Sequence, residues 1–200
     1  MRHVQLVEVE DLPWCPPSVR DGATDWLSFM ANSSGIFRVA APKIRAAMDA
    51  VGTSEILDLC SGGGGPWLTL EQELARSGPL RVTLSDLFLN HDSFRRLAAR
   101  SRGRLRYCPT PIDASAVPPA LDGVRTIFNS LHHFAPETAR AILADAVRSR
   151  RAIAVFEGVN HRGVGIAAVG FPIRLRPPRY GAAGQCRRSA PWAEEPACRY

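Results

Sequence analysis

Apolar positions in the first quarter of the chain recur at intervals of three and four. Phe37, Ala40, Ala41, Ile44, Ala47, Met48 and Val51 fall on one helical face, which predicts a single amphipathic helix closed by Gly52. Upstream, Leu12-Pro13-Trp14 and Pro16-Pro17 forbid regular structure until about Ser18. Ser18 to Met30 then predicts a helix carrying Trp26, Leu27 and Met30, closed by Gly35. The first ten residues, with Val4, Leu6, Val7 and Val9 among polar neighbours, predict a short strand or an extended lead-in.

From Glu55 the pattern changes to short apolar runs separated by helical stretches. Glu55 to Cys60 predicts a strand that stops in Ser61 and four consecutive glycines, followed by a helix from Pro66 to Arg76. Leu80 to Leu84, Arg104 to Cys108, Val124 to Phe128 and Ala152 to Phe156 predict four further strands. Asp92 to Arg102 and Pro136 to Arg148 predict the intervening helices, and a proline-punctuated loop follows the third strand. Alternation of this kind implies an α/β fold, a doubly wound, mostly parallel sheet with helices on both faces. Beyond Gly158 the apolar pieces, such as Gly165 to Val169, are broken by Phe171-Pro172, Pro177-Pro178 and Gly181. The C-terminal strands are therefore expected to be incomplete or atypical.

Composition narrows the class. Two hundred residues, 46% hydrophobic and 22% charged, suffice for one core. No run approaches the roughly 18–20 apolar residues of a membrane helix, and no basic-then-apolar start precedes an Ala-x-Ala site, so neither a spanning nor a plainly secreted chain is expected. Five cysteines with no C-x-x-C pair argue against a disulfide framework or a structural zinc site and for a reduced, cytoplasmic chain. The net charge is +6, but residues 159–200 carry seven Arg against two Glu, while the rest of the chain has 18 basic and 17 acidic side chains. The excess belongs to the tail, and a nucleic-acid-binding face on the domain is not expected.

Glycines at a strand's carboxyl end let the backbone approach a ligand, and the next helix offers unpaired N–H groups. The run Ile56-Leu57-Asp58-Leu59-Cys60-Ser61-Gly62-Gly63-Gly64-Gly65-Pro66-Trp67 lacks the third glycine of a dinucleotide fingerprint, where Trp67 stands, and lacks the Gly-Lys-Ser/Thr of a P-loop. Asp58, two residues before the loop, would repel a pyrophosphate and suits a cationic ligand. An NAD(P)-dependent oxidoreductase is thereby disfavoured.

These residues resemble the first motif of the class I S-adenosylmethionine-dependent methyltransferases, with Cys60 where a glycine is usual, a change expected to alter the local backbone slightly. The resemblance covers about residues 38–158, and the Glu8 to Ser28 stretch resembles the lead-in of a bacterial branch of that family. It implies S-adenosylmethionine as cofactor, with Asp58 near the methionine moiety and Cys60, Ser61, Gly62 and Gly64 in the loop beneath it. Asp86 and Leu87, after the second strand, would hold the ribose, and Asp113 and Ala114 would flank the adenine. Asn129 would face the methyl group. His132-His133 reads as a structural Leu-His-His segment, and no catalytic base is assigned. Trp14 and Trp26 read as core residues.

The division implied is a lead-in or cap over residues 1–36, a cofactor-binding core over 37–158 and an Arg/Pro/Gly-rich tail over 159–200, which reads as altered or even out of frame. The expected activity is methyl transfer to a small-molecule acceptor. The alternative is a domain of the same fold that binds cofactor or partner without turnover.

Overall fold

The computed structural model describes residues 12–158 and the backbone of 167–171. Proline sets the start of three helices, because it lacks the N–H that the first turn cannot use. These are α1 (Pro17–Ser34), α2 (Ala41–Val51) and α5 (Pro136–Arg148). The first two end on left-handed glycines, Gly35 and Gly52. Pro42 also explains why the helix expected from Phe37 is divided: Ile36–Ala40 forms a 3-10 turn, and α2 begins at Ala41 with Pro42 in its first turn.

The strands are β1 (Glu55–Leu59), β2 (Arg81–Leu84), β3 (Leu105–Tyr107), β4 (Val124–Phe128), β5 (Ile153–Glu157) and β6 (Ala167–Phe171). Between them lie α3 (Trp67–Ala75) and α4 (His91–Arg100). The sheet order is β3-β2-β1-β4-β5-β6; the first five strands are parallel, and β6 runs antiparallel to β5. An antiparallel edge strand thus stands where the C-terminal strands were expected to be incomplete or atypical. The lead-in over the first ten residues, and the tail apart from β6, lie outside the described residues.

Alternation along the strands sorts their side chains into two cores. Ile56, Val82, Leu84, Val124, Phe128 and Phe156 face α2, α3 and α4, and Phe128 stacks on Phe156. Leu57, Leu59, Ile127, Ile153 and Val155 face α5 and the Cys108–Val117 loop. Only α5 among the described helices covers this second face, because the β3–β4 connection is a proline-rich loop. Arg125 points to this face in the interior of the sheet. It is 2% exposed, and its Nη1 lies 2.7 Å from Asp145 Oδ2 on α5.

Removing one member of a buried pair leaves the other charge desolvated. Asp145→Ala is expected to cost about 3–5 kcal/mol in urea unfolding.

Candidate functional site

In a sheet of this order, the connections from β1 and β4 depart in opposite directions, and ligands bind in the crevice outside the carboxyl ends at that point. Asp58 stands there. It pairs in register with Thr126 of β4, so both side chains share one face. Asp58 Oδ1 accepts from Thr126 Oγ1 at 2.6 Å, and Oδ2 accepts from Ser61 Oγ at 2.6 Å. Its carbonyl accepts from Ser85 N at 2.9 Å and Ser85 Oγ at 2.7 Å, which ties β1 to the end of β2. Burial pushes the Asp58 carboxyl up to about 7, against the opposing pull of the Ser61 and Thr126 hydroxyls and the nearby Trp67 indole. The Trp67 Nε1 itself is buried without a partner at hydrogen-bond geometry.

The glycine loop carries several positive φ values, and the first belongs to Cys60 at +56°, with Gly62 at +51°, Gly64 at +98° and Gly65 at +48°. Cys60, where the motif has glycine, adopts the left-handed conformation that glycine supplies elsewhere in the loop. Two glycines are required by packing. A Cβ on Gly63 would lie 2.5 Å from the Thr24 carbonyl oxygen of α1, and one on Gly64 would lie 1.9 Å from Leu97 Cδ1 of α4. Trp67, where a dinucleotide site would have glycine, is fully buried between α3 and the sheet, edge-on to Phe128.

Asp86 reaches the same loop from β2. Its Oδ2 accepts from Gly62 N at 2.7 Å and its Oδ1 from Phe88 N at 2.9 Å, so the carboxylate is held while each oxygen keeps further acceptor capacity. Burial raises its pKa, and the Phe88, Gly62 and Leu87 amides and the Arg20 charge oppose the rise. The Leu87 side chain is exposed. Ile112 N donates to Asp86 O at 2.8 Å, bringing Asp113 and Ala114 beside the β2 end. Asp113 is exposed and accepts from Ser115 N and Oγ, both at 2.7 Å, while Ala114 is buried in the second core.

At the end of β4, Asn129 has φ +51°, a conformation its side chain tolerates, and its Oδ1 accepts from Gly158 N at 3.1 Å. Ser130 Oγ donates to Cys60 O at 3.3 Å, closing the gap between the ends of β1 and β4. The next turn, Leu131–His133, is pinned by Glu157 of β5. Oε1 accepts from Leu131 N at 2.9 Å, and Oε2 lies 2.6 Å from His132 Nδ1. Thr126 and Glu157 were both absent from the sequence reading. For Glu157 the signal was present, an acidic residue ending an interior apolar strand.

Helix α1 lies against this loop. Ser28 Oγ and Asn32 Nδ2 each donate to Gly65 O at 2.8 Å, and Asp25 meets Asn90, Ser93 and Arg96 of the α4 start. A cavity of about 550 Å³ lies between α1, α3 and α4, and Asp25, Ser28, Asn32 and Arg96 on its wall are bonded as just described. Trp14 and Trp26 are 69% and 60% exposed, which corrects their reading as core residues; Trp26 stacks on Phe29 at the surface. Cys15 and Cys108 are buried free thiols, and among the described residues no cluster could hold a metal ion.

Two outcomes follow for the loop. Cys60→Val puts a β-branched side chain in the left-handed region and is expected to lose about 1–2 kcal/mol in urea unfolding, whereas Cys60→Gly stays within about 1 kcal/mol of the parent. Because the Asp58 pKa rises from 3.8 unfolded to about 7 folded, this group's contribution to stability is full below the unfolded value and is lost as pH rises through the folded one. Asp58→Asn should therefore be more stable relative to the parent at pH above that folded value than in mild acid, measured by urea unfolding on both sides of it.

No protein-family model and no curated protein matches the chain. Solved structures do. An O-methyltransferase family protein from Burkholderia thailandensis superposes with a TM-score of 0.50 at 16% identity, over 72% of this chain and 42% of that one. NcsB1, an O-methyltransferase from neocarzinostatin biosynthesis solved with S-adenosylmethionine and 2-hydroxy-5-methyl naphthoic acid, gives 0.49 at 21% identity over 71% and 44%. SibL, an S-adenosylmethionine-dependent methyltransferase in its apo form, gives 0.49 at 18% identity over 76% and 42%. The chain spans less than half the length of each. With the strand order and the β1–β4 crevice, the similarity to the Burkholderia protein identifies the architecture: the protein shares that protein's Rossmann-like α/β fold.

Proposed function

We propose that the protein is an S-adenosylmethionine-dependent methyltransferase that methylates a hydroxyl oxygen of a small molecule. The observation that carries the cofactor reading is the acceptor set at the strand ends: two carboxylates, Asp58 and Asp86, flank the glycine loop. Acceptor groups of that kind fit a ligand with a positive charge and vicinal hydroxyls and disfavour a pyrophosphate. The bound cofactor supplies an electrophilic methyl group on a sulfonium.

In this reading Asp86 takes the ribose hydroxyls on the remaining lone pairs of its held carboxylate, beside the Leu87 backbone. Asp113 and Ala114 border the adenine. Asp58 has both oxygens engaged, so it acts through its field on the methionine ammonium and through its hold on the loop of Cys60, Ser61, Gly62 and Gly64. Asn129 borders the methyl end.

The His132–Glu157 pair supports an oxygen acceptor, because a hydroxyl must lose a proton on methylation while a thiolate need not. The Glu157 carboxylate can only accept, so Nδ1 of His132 carries the proton and Nε2 is the basic nitrogen. His132 takes the acceptor's proton at Nε2, and Glu157 holds the imidazolium that results. The near balance of charge outside residues 159–200 supports a small acceptor over a nucleic acid. No helix among the described residues is long and apolar enough to cross a membrane.

Calorimetry with S-adenosylmethionine tests the cofactor reading: the parent binds, and Asp86→Asn weakens binding about 10–100-fold. A folded parent that binds none overturns it. In turnover with phenolic and alcoholic acceptors, His132→Gln is expected to lower kcat about 10²–10⁴-fold with cofactor affinity unchanged. Binding without turnover on any acceptor would instead favour the non-catalytic alternative.

A further inference from the structure

The loop that replaces a helix between β3 and β4 leaves a gap beneath the sheet. It is a cavity of about 350 Å³ lined by Val117, Leu121, Arg125, Asp145, Arg148 and Arg151, among others. Arg125 stands four residues before Asn129 on β4, which puts the cavity about 13 Å along the strand from the candidate methyl-transfer site. Three guanidiniums and one carboxylate face it.

Asp145 cannot neutralise this group. It gives one oxygen to Arg125 Nη1 at 2.7 Å and the other to Arg148 Nη2 at 3.2 Å. Asp122 approaches Arg151 Nη1 at 2.9 Å from a largely exposed position. Even with both carboxylates counted, one positive charge remains. Each guanidinium has five N–H donors, so donors far exceed acceptors. The deficit is sharpest at Arg125, whose Nε is buried with no hydrogen-bond partner although the side chain is 2% exposed. A buried unsatisfied donor on a charged group is costly, and a bound acceptor would remove that cost.

The geometry points to a binding site for a small phosphate-class oxyanion, free or carried on a small organic group, at the amino end of β4. Arg125 from a strand, Arg148 from a helix end and Arg151 from the following loop line a cavity that has room for a tetrahedral anion and a short substituent. Paired donors of this kind match phosphate oxygens. The site is separate from the crevice at the carboxyl ends and does not depend on the methyl-transfer reading.

The probes are inorganic phosphate and glycerol 3-phosphate, each compared with sodium chloride at equal ionic strength. At about ten times the dissociation constant, the bound anion is expected to raise Tm by about 3–5 °C. Phosphorus NMR of the same titration should show saturable broadening with the parent. The double variant Arg148→Gln, Arg151→Gln should lose both signals. A larger effect from glycerol 3-phosphate identifies a phosphate monoester as the ligand, and a larger effect from phosphate identifies the free ion. The proposal is overturned if neither probe binds the parent by NMR, or if the folded double variant responds as the parent does, which would assign the response to the tail arginines or to salt exclusion. If the double variant does not fold, Arg148→Lys, which keeps the charge and loses the fork, must weaken binding at least severalfold for the site to stand.

Discussion

Asp58 is the tie on which the carboxyl end of the sheet depends. Its carboxylate spans from the glycine loop to β4, and its carbonyl receives the end of β2, so three neighbouring strands and the turn into α3 meet at one buried residue. A charge in that position is expensive, and two hydroxyl donors reduce the cost without removing it. The consequence is a carboxyl that titrates near neutrality in the folded chain. The field it offers to a ligand therefore changes over the range in which an enzyme of this fold would work.

The two ends of the sheet have opposite chemistry. At the carboxyl end Asp58, Asp86 and Glu157 gather around backbone that is already turned outward. At the amino end of β4, Arg125 is buried against α5, with Arg148 and Arg151 beside it. A single strand joins them: β4 carries Arg125 near its start, Thr126 on Asp58, and Asn129 at its exit. Alternation explains how one five-residue strand serves both, since Arg125 and Thr126 point to opposite faces.

Much of this was legible in the sequence. β4 and α5 have the boundaries their periodicity and Pro136 imply, and the alternation of strand and helix gave the parallel sheet. The motif resemblance led to residues that the fold does bring to neighbouring strand ends: Asp58, Ser61, Asp86, Asp113 and Asn129. The rest depended on tertiary partners. Apolar periodicity does not register that Pro42 must open a helix rather than lie within one. Trp14 and Trp26 have the composition of core residues, but the polar side of α1 is the one that docks, through Asp25, Ser28 and Asn32. Thr126 acquires its role only by strand register, which is not encoded locally, and for Glu157 the acidic end of an apolar strand is visible in the sequence while its partner, a turn that follows another strand, is not.

The four glycines are weaker evidence for a ligand than their number implies. Gly63 and Gly64 are explained by α1 and α4, whose atoms occupy the space a side chain would need. What packing leaves unexplained is the backbone at Cys60 and Asn129, where residues with side chains take left-handed conformations at the ends of the two central strands. Other non-glycine residues with positive φ, Arg102 and Arg150, follow helices α4 and α5, where such turns are common. At Cys60 and Asn129 the same conformation turns the chain away from the strand axis on both sides of the β1–β4 switch point. Cysteine gains nothing intrinsic from that conformation, so the strain there is supported by the Asp58 ties around it, and the shape so maintained is the crevice itself.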